Sequence, residues 1–266
     1  MLQLGRQNIF FNLVDAQKAA SQMGSTLRPL DNPTPPHDAN HRKSGYLSDI
    51  DLFTVLGFDT TSSMDTSDYE GATYLHDLNL SAPPAELHGK FDLIFDGGTL
   101  EHIFNIPNAL RNIHMMLKPG GRIMHVLPVS NYIDHGFYMF SPTLFYDYYM
   151  ANDYDINTSH IFRHTVRHNE DPWLVYDYKP GSVEHVSFGG LDSGMFCLIW
   201  VATKKATSTC DIVPQQGRWI PYWSGRIPET PQPQGVKRIM QKLEGRIRAA
   251  LGIEKRGIRL PVLKRY

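Results

Sequence analysis

The sequence predicts an α/β fold with a doubly wound, mostly parallel sheet, and three observations carry that reading. Residues 91–127, FDLIFDGGTLEHIFNIPNALRNIHMMLKPGGRIMHVL, set strand, loop, helix, turn and second strand in one run. Phe91, Leu93, Ile94 and Phe95 form a short apolar stretch ending at Asp96-Gly97-Gly98, and ligands of an open parallel sheet lie just beyond such carboxyl ends. Leu110, Ile113, Met116 and Leu117 then recur at helical spacing before Lys118-Pro119-Gly120-Gly121 stops the helix. The second observation is that acidic residues close three successive candidate strands, at Asp65, Asp77 and Asp96. The third is the opening of the chain: a strand over 1–5, then apolar residues at helical spacing over 9–23 with Gly24 as the stop.

The remaining elements follow in order. Residues 25–45 are rich in Pro, Asn, Asp and His and read as a loop, followed by a short helix over 46–56. A second strand over 60–64 ends at Asp65, and a third over 73–76 ends at Asp77-Leu78-Asn79, with Pro83-Pro84 marking the next loop. After the fifth strand, residues 128–141 form a loop of Asn, Asp, His, Gly and aromatics, where an acceptor would bind, and 142–151 is a tyrosine-rich helix. Residues 154–163 and 195–203 are the last two strands, separated by a polar insertion that carries Trp173, Tyr176 and Tyr178. The sequence has no internal repeat.

FDLIFDGGTLEHIFN followed by LRNIHMMLKPGGRIMHVLP resembles the fourth strand, fourth helix and fifth strand of class I S-adenosylmethionine-dependent methyltransferases, of the methyltransferase type 11 kind. The likeness runs over residues 91–128 and extends to 60–79. It implies a Rossmann-like sheet whose last two strands make an antiparallel edge, and S-adenosyl-L-methionine as cofactor. In the terms of that resemblance Asp65 meets the ribose hydroxyls, as carboxylates do in dinucleotide sites. Asp77 addresses the adenine amine and Leu78 packs on the ring, while Asp96, Gly97 and Gly98 let backbone approach the cofactor. Each has a plainer reading: Asp65 beside Thr66 and Ser67 as an acidic helix cap, Asp77 with Asn79 as an Asx turn. Gly5 matches the family's first glycine, but Gln7 stands where a second is usual. Two readings of that departure stay open: a variant pocket in which Arg6 or Gln7 contacts the methionine end, or a degenerate one.

Methyl transfer is an in-line displacement at an activated carbon, so a protein contributes alignment and a water-poor site. A hydroxyl acceptor also needs a base, a task suited to histidine. His102, beside Glu101 just past the cofactor-facing turn, and His135, in the loop after the fifth strand next to Asp134, are the candidate catalytic residues. Twelve histidines are present, yet no pair has the close Cys/His spacing of a zinc site, and His160, His164 and His168 fall partly on a strand, so no metal is expected. Phosphate-loop and serine nucleophile-elbow motifs are missing. The activity expected is methyl transfer to a small molecule or carbohydrate, at oxygen; the alternative is a methyltransferase-like module that binds or regulates without catalysis.

With 266 residues and 41% hydrophobic content, the chain is long enough for one substantial core. The layout expected is a methyltransferase domain over 1–205, a linker over 206–234 with prolines at 214, 221, 228 and 231, and a basic amphipathic helix and tail over 235–266. Ten Lys and Arg against two Glu give that tail a net of +8 and leave −9 for the rest of the chain. Such a helix either docks on the domain or meets an anionic membrane surface or partner; charge confined to one terminal element offers no reading surface for nucleic acid. Two cysteines exclude a disulfide framework, Cys197 reads as a buried inert thiol, and neither a membrane span nor a signal segment is legible, so a cytoplasmic location is expected.

Overall fold

The computed structural model describes residues 1–167, 170–217, 219–220, 224 and 262–265. Its strands are β1 (Leu2–Leu4), β2 (Ser62–Asp65), β3 (Tyr74–Leu75), β4 (Phe91–Asp96), β5 (Leu117–Ser130), β6 (Tyr154–His164), β7 (Leu174–Asp177), β8 (Met195–Lys204) and β9 (Lys264–Arg265). Among the described residues they form one sheet in the order β3-β2-β1-β4-β5-β8-β6-β7-β9. Pairing is parallel from β3 through β5 and antiparallel from β5 onward, because β8 inserts in reverse between β5 and β6. The doubly wound α/β sheet, parallel on one side and antiparallel on the other, is the one expected.

Differences from expectation have local causes. The segment Lys118-Pro119-Gly120-Gly121 belongs to β5 instead of preceding it: the strand starts at Leu117, directly after the helix, and the register against β4 skips between Phe91 and Leu93. The extra residues form a bulge, with Gly120 at φ +80. The insertion after β6 contains β7, in which Val175 and Tyr176 are both buried. The loop over 25–45 holds a five-residue helix, α2 (Ala39–Lys43), capped by the Asp38 carboxylate.

Helix α1 (Leu13–Gln22) carries a capping box between Asn12 and Asp15 and buries no residue. Helix α3 (Asp49–Val55), capped by the Ser48 hydroxyl, buries Phe53 and Val55 against the sheet, and its Phe53 ring meets Phe95 at 5.5 Å. Helix α4 (Ile106–Met116) drives Ala109, Leu110, Ile113 and Met116 into a core shared with Leu2, Leu4, Ile94, Ile123 and Leu127. A polar line along α4 pins the loop after β3: Asn108 Nδ2 donates to the Asn79 carbonyl at 2.6 Å and Asn112 Nδ2 to the Leu80 carbonyl at 2.7 Å. The tyrosine-rich helix α5 (Pro142–Ala151) places Phe145, Tyr148 and Tyr149 in the same core.

The first residues of the expected linker are fastened to the body. The Asn152 carboxamide accepts from Thr209 Oγ1 at 2.9 Å and from Ile212 N at 3.1 Å, and donates to the Ile212 carbonyl at 3.0 Å. The basic amphipathic helix expected over 236–251 lies outside the described residues. No helix of the described residues is long and apolar enough to cross a membrane.

Asp96 ends β4 fully buried, and its carboxylate is bonded on every side. Oδ1 accepts from the Thr99 and Leu100 amides at 3.1 and 3.3 Å, and Oδ2 lies 2.6 Å from His125 Nδ1. His125, also fully buried on β5, meets the Tyr149 hydroxyl through Nε2 at 2.7 Å. Burial pushes the Tyr149 phenol well above its ordinary pKa, so the hydroxyl stays protonated and available for this bond. Three elements are therefore tied through polar groups that have no water to fall back on. Replacing His125 by Ala strands a buried carboxylate, and is expected to cost on the order of 3 kcal/mol in urea unfolding. Tyr149→Phe, which deletes a hydroxyl alone, should cost about 1 kcal/mol; equal stability of both variants to the parent would refute the network as an anchor.

Candidate functional site

At the carboxyl ends of β1, β2 and β4 a cleft of about 500 Å³ is lined by Gly5, Arg6, Gln7, Asp65, Thr66, Leu78, Asn79, Gly97, Gly98 and His102, among others. That volume is in the range of small-molecule and cofactor sites. Gly5 has φ +66 and donates to the Met64 carbonyl at 2.8 Å, turning the chain off β1 across β2. Thr99 closes the other wall, its hydroxyl donating to the Leu4 carbonyl at 2.6 Å.

Arg6 and Gln7 both line the cleft but are engaged by the protein. Arg6 forks onto Asp49, with Nε to Oδ2 at 2.6 Å and Nη2 to Oδ1 at 2.7 Å, and Nη1 donates to the Glu70 carbonyl at 3.2 Å. Burial would raise the Asp49 carboxyl, but the Arg6 hydrogen bonds and charge outweigh it and hold the group below its ordinary range. Gln7 donates through Nε2 to the Leu4 carbonyl at 3.0 Å, and its Oε1 lies where a side chain on Gly97 would start. Gly97 is thus a glycine because Gln7 and Phe95 fill its side-chain space.

Asp65 ends β2, and its carboxylate caps the turn that follows. Its Oδ1 accepts from Ser67 N at 3.2 Å and Thr66 Oγ1 at 3.3 Å, a turn-capping arrangement. Oδ2 has no hydrogen bond among the described residues and belongs to a cleft-lining side chain. Asp77 departs from expectation. Its Oδ1 takes both the amide and the carboxamide of Asn79 at 2.8 Å, which holds the carboxyl below its ordinary range, and the residues lining the cleft here are His76, Leu78 and Asn79. Asp96 departs too: its side chain is committed inward to His125, and Gly97 and Gly98 alone of that turn line the cleft. The donor set still fits S-adenosylmethionine, with a carboxylate oxygen free for a ribose diol, apolar Leu78 and Ile103 for an adenine face, and a guanidinium at the opposite wall.

Beyond Gly98 the cleft reaches a cluster that unites the two candidate histidines. The His102 and His135 rings meet edge to face at 5.2 Å. Between them and the core lies Glu101, 1% exposed, whose Oε1 is 3.7 Å from His135 Nε2 and whose Oε2 has no partner. The loop after β5 is stitched over it: the Glu101 carbonyl accepts from Phe137 N at 2.7 Å and Tyr138 N at 3.2 Å. At Gly136 a Cβ would stand 2.8 Å from that same carbonyl oxygen, so this approach requires glycine. Burial pushes the Glu101 carboxyl up to about 7, and burial with the neighbouring His135 lowers His102. The carboxylate beside the His135 ring is that of Glu101. Among the described residues, Glu101, His102 and His135 each offer a metal-ligating atom within 4.8 Å of the others, which the absence of close histidine spacing does not foreshadow. His160 pairs with Asp177 at 3.0 Å and His164 Nε2 bonds the Tyr132 hydroxyl at 2.6 Å, while His168 lies outside the described residues.

Glu101 was visible as half of the Glu101-His102 pair, but nothing local in the sequence says that a loop thirty residues on will bury it. Next to the cluster Tyr132 also bonds Cys197 Sγ at 2.9 Å, and Trp173 stacks on Phe162 at 5.0 Å and on His164 at 5.3 Å. Burial pushes the Cys197 thiol up to about 11, so it is an inert thiol, as expected.

Residues 48–123 match the family model described as a methyltransferase domain. No curated protein matches the chain. Among solved structures, TehB from Haemophilus influenzae is 15% identical at a TM-score of 0.36, the match covering 59% of this chain and 53% of that one. An S-adenosylmethionine-dependent methyltransferase from Mesorhizobium loti is also 15% identical at 0.36, covering 56% and 82%. A 1,6-didemethyltoxoflavin-N1-methyltransferase from Burkholderia thailandensis, with S-adenosylhomocysteine bound, is 16% identical at 0.27, covering 58% and 66%. The chain spans about half the length of the first of these.

Glu101 makes a pH prediction. Between its ordinary value of 4.5 and about 7 the folded chain holds a proton that the unfolded chain has released, so its contribution to stability falls as pH rises through that window. Glu101→Gln removes the buried charge and is expected to raise the melting temperature at pH 8 by a few degrees, with the gain shrinking toward zero at pH 5. A gain independent of pH would show that Glu101 does not titrate in this range.

Proposed function

We propose that this chain, whose residues 48–123 match a methyltransferase domain, is an S-adenosylmethionine-dependent methyltransferase that moves the donor methyl to a hydroxyl oxygen of a small molecule or carbohydrate. When bound, S-adenosylmethionine supplies a methyl carbon already activated by its sulfonium. The observation that carries the reading is the continuity of the cleft: His102 lines it together with Asp65, Leu78 and Gly98, and touches His135 on its far side. Asp65 holds the ribose diol through Oδ2, Leu78 and Ile103 shelter the adenine, and Arg6, already seated on Asp49, presents its cationic edge toward the methionine carboxylate. Glu101 and His135 stand where a hydroxyl proton must leave as the new bond forms. Such assistance is needed for a hydroxyl and not for a neutral amine, which supports oxygen as the target. Tyr132, His164 and Trp173 border the same edge, and their ring faces suit a planar or sugar acceptor.

A second reading, a non-catalytic module, draws on one observation: Arg6 and Gln7, which stand in the first loop, spend their hydrogen bonds on the protein. Calorimetry with S-adenosylhomocysteine separates the two. The parent chain should bind it, and Asp65→Ala should weaken binding at least tenfold, about 1.4 kcal/mol, with an unchanged circular dichroism spectrum. His135→Ala should bind as the parent does and lose turnover on whatever metabolite gains one methyl mass in its presence. Failure of the folded parent to bind would defeat the enzyme reading and favour the second.

A further inference from the structure

We propose that Glu101, His102 and His135 form a binding site for one divalent transition-metal ion, of the Mn(II), Fe(II) or Zn(II) class, at the acceptor end of the cleft. Each residue offers one ligand atom, and the three atoms lie within 4.8 Å of one another. Two imidazoles and one carboxylate suit these ions, whereas Mg(II) and Ca(II) take oxygen sets. Bond lengths of about 2.0–2.2 Å then require the ligand atoms to close by roughly 1 Å. Rotation of the half-exposed His135 ring and of His102 supplies that movement.

The backbone already holds the triad together. Glu101 and His102 are neighbours on one 3-10 turn, Leu100–His102, and His135 is brought over them by the amides of Phe137 and Tyr138 on the Glu101 carbonyl. Gly136, with no room for a side chain, sets the depth of that approach. The independent pointer to a ligand is the carboxylate itself. Glu101 is 1% exposed, its Oε2 is buried without a partner, and its ionic neighbour among the described residues is His135 at 3.7 Å on the other oxygen. A buried carboxylate left in this state is costly, and native structures pair such groups or place them on a cation. The His135 contact reaches Oε1 alone. An ion seated between the three side chains takes Oε2 as well and screens the two imidazoles from each other. The Cys197 thiol, bonded to Tyr132 and held protonated by burial, takes no part.

Three protein ligands leave coordination positions open toward the cleft. The role there rests on the methyl-transfer reading: the acceptor hydroxyl coordinates the ion, its proton passes to solvent, and the oxygen forms the C–O bond as the C–S bond of the donor breaks, leaving the thioether. Glu101 and the histidines then assist the loss of that proton by holding the ion that acidifies the hydroxyl. Existence of the site does not depend on that chemistry, so the first measurement uses metal alone.

The full chain, freed of metal by chelation, is titrated with Mn(II) and with Zn(II) in a calorimeter, without cofactor or acceptor. One ion per chain should bind, His102→Ala and His135→Ala should each weaken it at least tenfold, and Glu101→Gln should do the same. The Mn(II) paramagnetic spectrum should show imidazole nitrogen coupling that the His102→Ala/His135→Ala double variant removes. His160→Ala, on β6 beside Asp177, should leave binding unchanged. The exposed position of His135 keeps that variant foldable if Glu101→Gln is not. Binding equal in the parent and in the His102→Ala/His135→Ala double variant, or lost equally in His160→Ala, overturns the proposal. S-adenosylhomocysteine affinity of the metal-free parent is measured beside it: retained cofactor binding without metal binding defeats the metal site and spares the methyl-transfer reading.

Discussion

The bond between Asp96 and His125, fully buried and 2.6 Å long, is the constraint on which the rest of the molecule depends. It fastens the end of β4 to the middle of β5, and through the Tyr149 hydroxyl it reaches α5 on the covering layer. The other Asp96 oxygen caps the amides of Thr99 and Leu100, which sets the path of the chain as it leaves the strand. One wall of the cleft is downstream of that path: Gly98 in its positive-φ turn, Thr99 tied back to Leu4, and the 3-10 turn that carries Glu101 and His102. Apolar packing alone does not prescribe such a direction, because it is non-directional and tolerates small rotations of a turn. A buried carboxylate with three hydrogen bonds does not.

This use of Asp96 also explains the division of labour among the acidic residues that close the strands. A carboxylate buried among helix and sheet is expensive unless every lone pair is occupied, so Asp96 cannot both hold the turn and reach a ligand. Asp77, in turn, spends one oxygen on the Asn79 backbone and side chain. Asp65 alone combines a cleft-lining position with an oxygen that makes no hydrogen bond among the described residues. The three look equivalent as letters after strands; their roles separate according to what each backbone end must anchor.

How much of this was legible in the sequence follows the range of the interactions involved. The strand from Phe91, the part of β5 after Gly121, and helices α4 and α5 announce themselves by periodicity, because burial on one or both faces writes a local pattern. The parallel order and the cleft at the carboxyl ends follow from those elements. Strand β7 was hidden because four residues in a polar insertion carry little pattern, and Lys118-Pro119-Gly120-Gly121 reads as a turn although its extra residues bulge within β5. Inward commitment of Asp96 was illegible since its partner, His125, sits in an apolar strand where histidine passes for a core residue. Gln7 stood out as a departure, but only the fold shows it lying over Gly97 and bonded to Leu4.

The strand-end wall of the cleft and the Glu101 cluster are built on different physics, and this accounts for their unequal legibility. The first is made by strand ends, whose spacing is fixed by the sheet and leaves glycines and acids at readable positions. The second is made by one loop folded back on another, where the Glu101 carbonyl accepts two amides from residues more than thirty positions away and Gly136 permits the contact. Loop closure of that length costs little in chain entropy, so such a loop can be exchanged without disturbing β4 or its Asp96 anchor. The chemistry available at that end of the cleft must therefore be argued from the cluster that the loop assembles, Glu101, His102 and His135, and not from the strand ends.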